Sequence, residues 1–185
     1  MPARTYQFSQ SSIDLVALAR ETAIDLGYNY ISSIHLLIAD CKTAGPTSIK
    51  EFAFKNDADV DRFVESQRLD KEDLLHFNDE SLPLTMEAET AIRNSEQERA
   101  MYHQRYIYPF HILLSSIKIP DSALLNCFVG KNWPEDLLRY YKAAGAFNID
   151  KLTNDEIAAD QYVPVESKFK SMFTPVRNIF KRKNK

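Results

Sequence analysis

Apolar residues recur with helical spacing along two long segments of the chain. After Ser9 the apolar positions are Leu15, Val16, Ala19, Ala23 and Leu26. After Thr85 the corresponding positions hold Ala91, Ile92, Ser95, Arg99 and Tyr102, so the apolar pattern is degraded towards the end of the second segment. Spacings of three and four residues place such positions on one face of a helix, and Ser and Thr are common N-caps. The pattern predicts two long helices, which begin after Ser9 and after Thr85.

A shorter motif follows each predicted helix. Residues 27–38 read GYNYISSIHLLI and residues 106–114 read YIYPFHILL. An offset of 76 residues aligns the two copies, pairing Tyr30 with Tyr106, Ile31 with Ile107, His35 with His111 and Leu37 with Leu113. The same offset aligns Ser9 with Thr85. Such self-similarity predicts a duplicated unit that contains a long helix, a tight connection and a short apolar helix.

The connection between the two helices needs a residue with a left-handed backbone at the end of the long helix. Gly27 fits that position in the first unit, and His103 holds it in the second. Further helices are predicted at 48–55, from Asp57 or Asp59, at 123–128 and from Pro134, whose fixed φ suits a first helical turn.

The duplicated motif resembles the N-terminal domain of the Clp ATPases. The resemblance lies in the cap, the alanine-containing helix, the stretch from Leu26 to Ile31, and Ile34-His35-Leu36-Leu37 two residues later. It extends over residues 5–145. It implies an all-α fold with two pseudo-symmetric repeats of about four helices each, followed by a C-terminal extension.

Composition divides the chain into three parts: a helical body at 1–145, an acidic linker at 146–164 and a basic amphipathic tail at 165–185. The tail has seven Lys or Arg residues against Glu166 alone, a net charge of +6. Because the whole chain carries −3, residues 1–164 carry −9. The candidate docking residues of the tail are Phe169, Phe173, Arg177, Phe180 and Lys181. An anionic membrane surface, an acidic partner protein and the acidic body of the same chain all remain open as its partner.

The residues that several classes of enzyme require are missing. The four glycines, at 27, 45, 130 and 145, do not form a phosphate-binding or dinucleotide-binding loop, so we expect no ATP binding and no cofactor. The four histidines do not have metal-ligand spacing, and His35 and His111 are expected to be packed and bonded to backbone. Glu87, Glu98 and Arg105 are expected on a solvated face. The acidic body excludes nucleic acid as a partner.

The resemblance also bears on binding residues. In some Clp N-terminal domains a Thr-Glu pair before the motif histidine binds phosphorylated arginine. The matching pairs here are Ser33-Ile34 and Pro109-Phe110, so both acids are replaced and this recognition is not expected. If exposed, Ile34 and Phe110 would form apolar spots suited to a partner protein. The alternative is that both residues pack against neighbouring helices.

The resemblance, together with the missing enzyme motifs, implies a non-catalytic module that binds proteins or unfolded peptide segments, in protein quality control or as an adaptor to a separate Clp ATPase. The alternative is a scaffold that its basic tail tethers to a membrane surface or an acidic partner. The sequence shows no secretory signal, and Cys41 and Cys127 are expected to be reduced thiols. A cytoplasmic location is therefore expected.

Overall fold

The computed structural model describes residues 7–43, 45–69, 82–127 and 132–153. This part of the chain contains eight α-helices: α1 Gln10–Asp25, α2 Ser33–Lys42, α3 Lys50–Ala53, α4 Asp57–Ser66, α5 Met86–Met101, α6 Pro109–Ile117, α7 Ala123–Asn126 and α8 Trp133–Ala143. Two short strands, β1 Gln7–Phe8 and β2 Tyr106–Ile107, and a 3₁₀ helix, Ala146–Asn148, complete it. The predicted all-α fold class is confirmed. The tail at 165–185, with its five candidate docking residues, lies outside the described residues.

The helix boundaries follow the internal repeat. α5, α6 and α8 each begin 76 residues after α1, α2 and α4. Ser9 and Thr85 are the N-caps of the two long helices, and their hydroxyls accept the N–H of Ser12 at 3.2 Å and of Ala88 at 3.3 Å. Gly27 (φ 91°) and His103 (φ 54°) have the left-handed backbone that ends each long helix. The repeat therefore determines where these helices begin and how the two long helices, α1 and α5, end.

The two repeats are interlocked through their connections. β1 runs parallel to β2, and Ile31 forms a parallel bridge with Leu84. The Ser9 N–H donates to the Ile107 carbonyl at 2.9 Å, and the Thr85 N–H donates to the Ile31 carbonyl at 2.9 Å. These two bonds are equivalent under the 76-residue offset. In each repeat, the segment before the long helix thus bonds to the segment that precedes the short helix of the other repeat. The two repeats therefore form one body.

The hydrophobic core lies where the short helices α2 and α6 meet, with α1 packed against α2 and α5 against α6. The chain turns back after α8 at Gly145, whose φ of 71° favours glycine. Ala146, Phe147 and Leu152 are then buried in the body. The described residues that follow the predicted boundary at 145 therefore pack against the helical body.

Candidate functional site

Each repeat carries the same histidine contact at the start of its short helix. His35 Nδ1 accepts the Ser32 N–H at 2.9 Å, and His111 Nδ1 accepts the Tyr108 N–H at 2.9 Å. Both rings are buried. The histidine thus satisfies a backbone donor at the helix N-terminus, as the acidic residue of a capping box does. The prediction that these histidines are packed and bonded to backbone is confirmed.

Burial keeps both histidines neutral. Loss of solvation lowers the pKa of His35 to about 4. The same effect, together with the charge of Arg99, lowers the pKa of His111 to about 3. Since Nδ1 accepts a bond in each ring, the proton of the neutral form lies on Nε2. In the second repeat that Nε2–H donates to Gln104 Oε1 at 2.6 Å.

A pocket of about 270 Å³ opens beside His35 in the first repeat. Its lining residues come from both repeats: Tyr28, Tyr30, Ser32, Ile34, His35, Thr85, Glu87 and Ala123. Tyr28 packs edge-on against His35, with ring centroids 4.7 Å apart. Tyr30 is 38% exposed, and Ile34 is half-buried. We refer to this site as the first pocket.

Glu87 closes one wall of the first pocket. Its Oε1 accepts the Ser33 N–H at 3.2 Å and the Ser33 hydroxyl at 2.9 Å, and its Oε2 accepts the Ala123 N–H at 2.5 Å. The Ser33 hydroxyl in turn accepts the Leu124 N–H at 3.0 Å. The carboxylate therefore joins the N-termini of α2 and α7 and satisfies donors that have no partner within those helices.

These bonds change the roles expected for several residues. Ser33 is fully buried, so it supports the pocket wall and does not meet a partner at the surface. Glu87 is half-buried, and Glu98 is buried with the Lys118 ammonium 2.8 Å away. The solvated face predicted for these two glutamates is wrong, and only Arg105 of that group is exposed. No signal in the sequence places Glu87 beside Ser33, because the two are 54 residues apart.

The corresponding position in the second repeat is closed. Phe110 is 0% exposed, and its ring lies 5.4 Å from the rings of both Tyr141 and Phe147. Pro109, at the start of α6, is half-buried. Phe110 is therefore not exposed. It packs against neighbouring elements, which was the alternative interpretation. Of the two apolar spots considered from the sequence, only the one at Ile34 reaches the surface.

The described residues contain no group of three or more His, Cys, Asp or Glu side chains that could hold a metal ion. None of the helices in the described ranges has the length and apolar character that a membrane span requires. Cys41 and Cys127 are free thiols, the first buried and the second half-buried.

Comparison with known proteins identifies the fold. No protein-family model and no curated protein matches the chain. Among solved structures, the N-terminal domain of the chaperone ClpD from Arabidopsis thaliana is 15% identical, with a TM-score of 0.55 over 77% of this chain and 99% of that domain. A chain from a structural study of a malarial protein secretion system is 18% identical, with a TM-score of 0.56 over 75% of this chain and 95% of that one. The chain has the fold of the Clp N-terminal domains, as the duplicated motif predicted.

Proposed function

We propose that this chain is a non-catalytic module that binds proteins or unfolded peptide segments through the first pocket. Its role would lie in protein quality control or in delivering partners to a separate Clp ATPase. The fold it shares with the ClpD N-terminal domain supports this role. The observation that carries the proposal is the first pocket itself, which lies open at the junction of the two repeats.

The lining of the first pocket suits an apolar side chain of a peptide. Tyr28, Tyr30 and Ile34 provide aromatic and aliphatic surface, and pockets that bind ligands combine such surface with a few polar groups. Met86, which lies in sequence between the lining residues Thr85 and Glu87, is 85% exposed.

The same geometry argues against phosphorylated arginine as the ligand. The carboxylate in this pocket comes from Glu87, and both of its oxygens already accept hydrogen bonds from α2 and α7. A guanidinium ion would have to compete with those bonds for the carboxylate. Ile34 supplies no second carboxylate.

Replacing Ile34 with serine tests the first pocket. A fully buried large apolar side chain contributes roughly 1.5–3 kcal/mol, so partial burial against a ligand predicts about a tenfold loss of affinity, or about 1.4 kcal/mol. The measurement is fluorescence anisotropy with a labelled, permanently unfolded protein such as reduced and carboxymethylated α-lactalbumin. Ile13→Ser is the matched control, because it makes the same substitution at an exposed isoleucine of α1 that does not line the pocket. Equal losses in both variants, or no binding by the unsubstituted chain, would refute the proposal.

A second candidate function rests on the distribution of charge. The +6 tail and the −9 remainder of the chain favour tethering through residues 165–185 to an anionic surface or acidic partner. Each basic residue near an anionic bilayer contributes about 1 kcal/mol, and less at high salt.

Replacing both Phe173 and Phe180 with serine tests the tether. We expect the double variant to lose most of its sedimentation with vesicles that contain phosphatidylserine, while its melting temperature stays within a degree or two of the original. Replacing Ile13 with serine should change neither quantity. A fall of several degrees in the melting temperature would instead show that the tail belongs to the folded core, and the tether would be rejected.

A further inference from the structure

The internal repeat places a position equivalent to the first pocket at the start of α6. The 76-residue offset pairs Tyr28, Ile34 and His35 of the first pocket with Gln104, Phe110 and His111. In the second repeat this position is not empty, because residues 146–152 lie across it. The contacts of that segment show which of its groups are held at this position.

The segment begins as the 3₁₀ helix Ala146–Asn148, turns at Asp150, whose φ is 46°, and ends in a single β-bridge. Gln104 and Lys151 form an antiparallel bridge. The Arg105 N–H donates to the Asp150 carbonyl at 3.0 Å, and the Leu152 N–H donates to the His103 carbonyl at 2.7 Å. Main-chain bonds of this kind provide affinity that does not depend on the side chains of the bound segment.

A buried side-chain amide also donates hydrogen bonds to the backbone of the segment. Gln104 Nε2 donates to the Ala146 carbonyl at 3.0 Å and to the Ile149 carbonyl at 2.9 Å. Gln104 Oε1 is held by His111 Nε2, so the amide is fixed with its donors towards the segment. The neutral histidine therefore orients the group that contacts the peptide backbone.

Two side chains of the segment fill specific positions. The Phe147 ring stacks on Tyr102, with centroids 3.7 Å apart, and meets Phe110 nearly at right angles at 5.4 Å. Such aromatic contacts add to the free energy of burial. The Asp150 carboxylate accepts the Tyr108 hydroxyl. The pocket thus recognises an aromatic residue and, three positions later, an acidic one.

We propose that the region around Gln104, Tyr108 and Phe110 is a second peptide-binding pocket, which residues 146–152 fill as an internal ligand and which external segments with the pattern Phe-x-x-Asp can occupy in their place by adopting the same turn. The internal segment competes at an effective concentration of the order of millimolar, as short tethers do. The second pocket therefore opens only to a concentrated or multivalent partner. This inference rests on the proposed function, since it gives the second repeat the role proposed for the first.

The test uses the full chain and a labelled peptide that copies residues 145–153. In the full chain, Phe147→Ala together with Asp150→Ala weakens the internal ligand and leaves the pocket residues in place. We expect the peptide to bind this double variant at least tenfold more tightly than it binds the unsubstituted chain. A peptide with alanine at the position of Phe147 should lose that binding, and adding Tyr108→Phe to the double variant should weaken it.

Two controls separate the second pocket from the first. Phe63→Ala removes a half-buried phenylalanine that packs against Phe54 in the first repeat, and it should not increase peptide binding. Ile34→Ser should leave binding of this peptide unchanged even though it weakens binding of unfolded protein. If the double variant unfolds cooperatively but binds the peptide no more tightly than the unsubstituted chain, the second pocket is rejected, while binding at Ile34 still supports the proposed function.

Hydrogen exchange gives a readout that needs no variant. Millimolar peptide should displace the internal segment of the unsubstituted chain and accelerate exchange of the Leu152 amide at least tenfold, because that amide loses the His103 carbonyl. The amide of Ala19 in α1 should not change. Unchanged exchange at Leu152 with saturating peptide would overturn the inference.

Discussion

Replacing Arg99 with alanine is expected to lower the free energy of unfolding by about 3–5 kcal/mol. The residue is 0% exposed, and Nη2 lies 3.2 Å from Oε1 of the buried Glu96. Its Nη1 also donates to the Gln104 carbonyl. The substitution would leave the Glu96 carboxylate buried without this cation and remove a donor that fixes the loop before β2. Urea unfolding followed by circular dichroism gives the difference.

A surface pair on the same helix provides the matched control. Arg93 lies 2.7 Å from Glu89, and their side chains are 47% and 41% exposed. Arg93→Ala should cost only about 0–1 kcal/mol. Replacing both Arg99 and Glu96 with leucine should recover much of the loss, because no charge then remains buried without its partner. If Arg99→Ala and Arg93→Ala destabilise the fold equally, the buried ion pair contributes no more than a surface pair does.

Lowering the pH from 8 to 5 is expected to destabilise the fold by about 3 kcal/mol. His35 and His111 have pKa values of about 4 and about 3 in the folded chain, against about 6.5 when unfolded. Below pH 6.5 the unfolded chain therefore binds protons that the folded chain does not, and stability falls as the pH falls from 6.5 towards the folded pKa values. At pH 5 each histidine accounts for about 2 kcal/mol of the loss.

Asp40 acts in the opposite direction. Burial raises the pKa of its carboxyl to about 6, although its Oδ2 accepts the Ile49 N–H at 2.7 Å. Between pH 6 and 3.8 the folded chain binds a proton that the unfolded chain does not. This raises the free energy of unfolding by about 1 kcal/mol at pH 5.

Glutamine in place of both His35 and His111 is the control for the pH experiment. Its side-chain oxygen can accept the N-cap N–H as the histidine does, and it does not titrate. Stability of the double variant should therefore no longer fall between pH 8 and 5 in urea titrations. An unchanged pH dependence would show that other groups control acid unfolding.

The features that the sequence predicted well are local in the chain. Ser9 and Thr85 cap their helices because a hydroxyl reaches the N–H three residues ahead in any structure that forms the helix. The apolar periodicity gave the long helices, and the 76-residue offset gave the order of the elements in both repeats. His103 was predicted in the left-handed position from its alignment with Gly27, and its φ of 54° confirms it.

The pocket itself depended on contacts between residues far apart in the chain. Aligned positions have similar local sequences but different neighbours: Ile34 faces the first pocket, whereas Phe110 lies under Phe147. From the sequence, Glu87 is expected to be an ordinary exposed residue in a first helical turn. Only the packing of the two repeats against each other brings it to Ser33 and Ala123.

The segment after α8 shows the same division. Its acidic composition predicted a linker. Composition indicates how well a segment is solvated on average, but it carries no information about the surface against which a particular residue packs. Gly145 turns the chain back, and the exposed fraction of Phe147 then depends on Tyr102 and Phe110, residues more than 35 positions away. Helix type and position follow from interactions over three or four residues and could be predicted from the sequence. Which of two matching pockets stays open follows from burial against distant elements, and only the tertiary structure decided it.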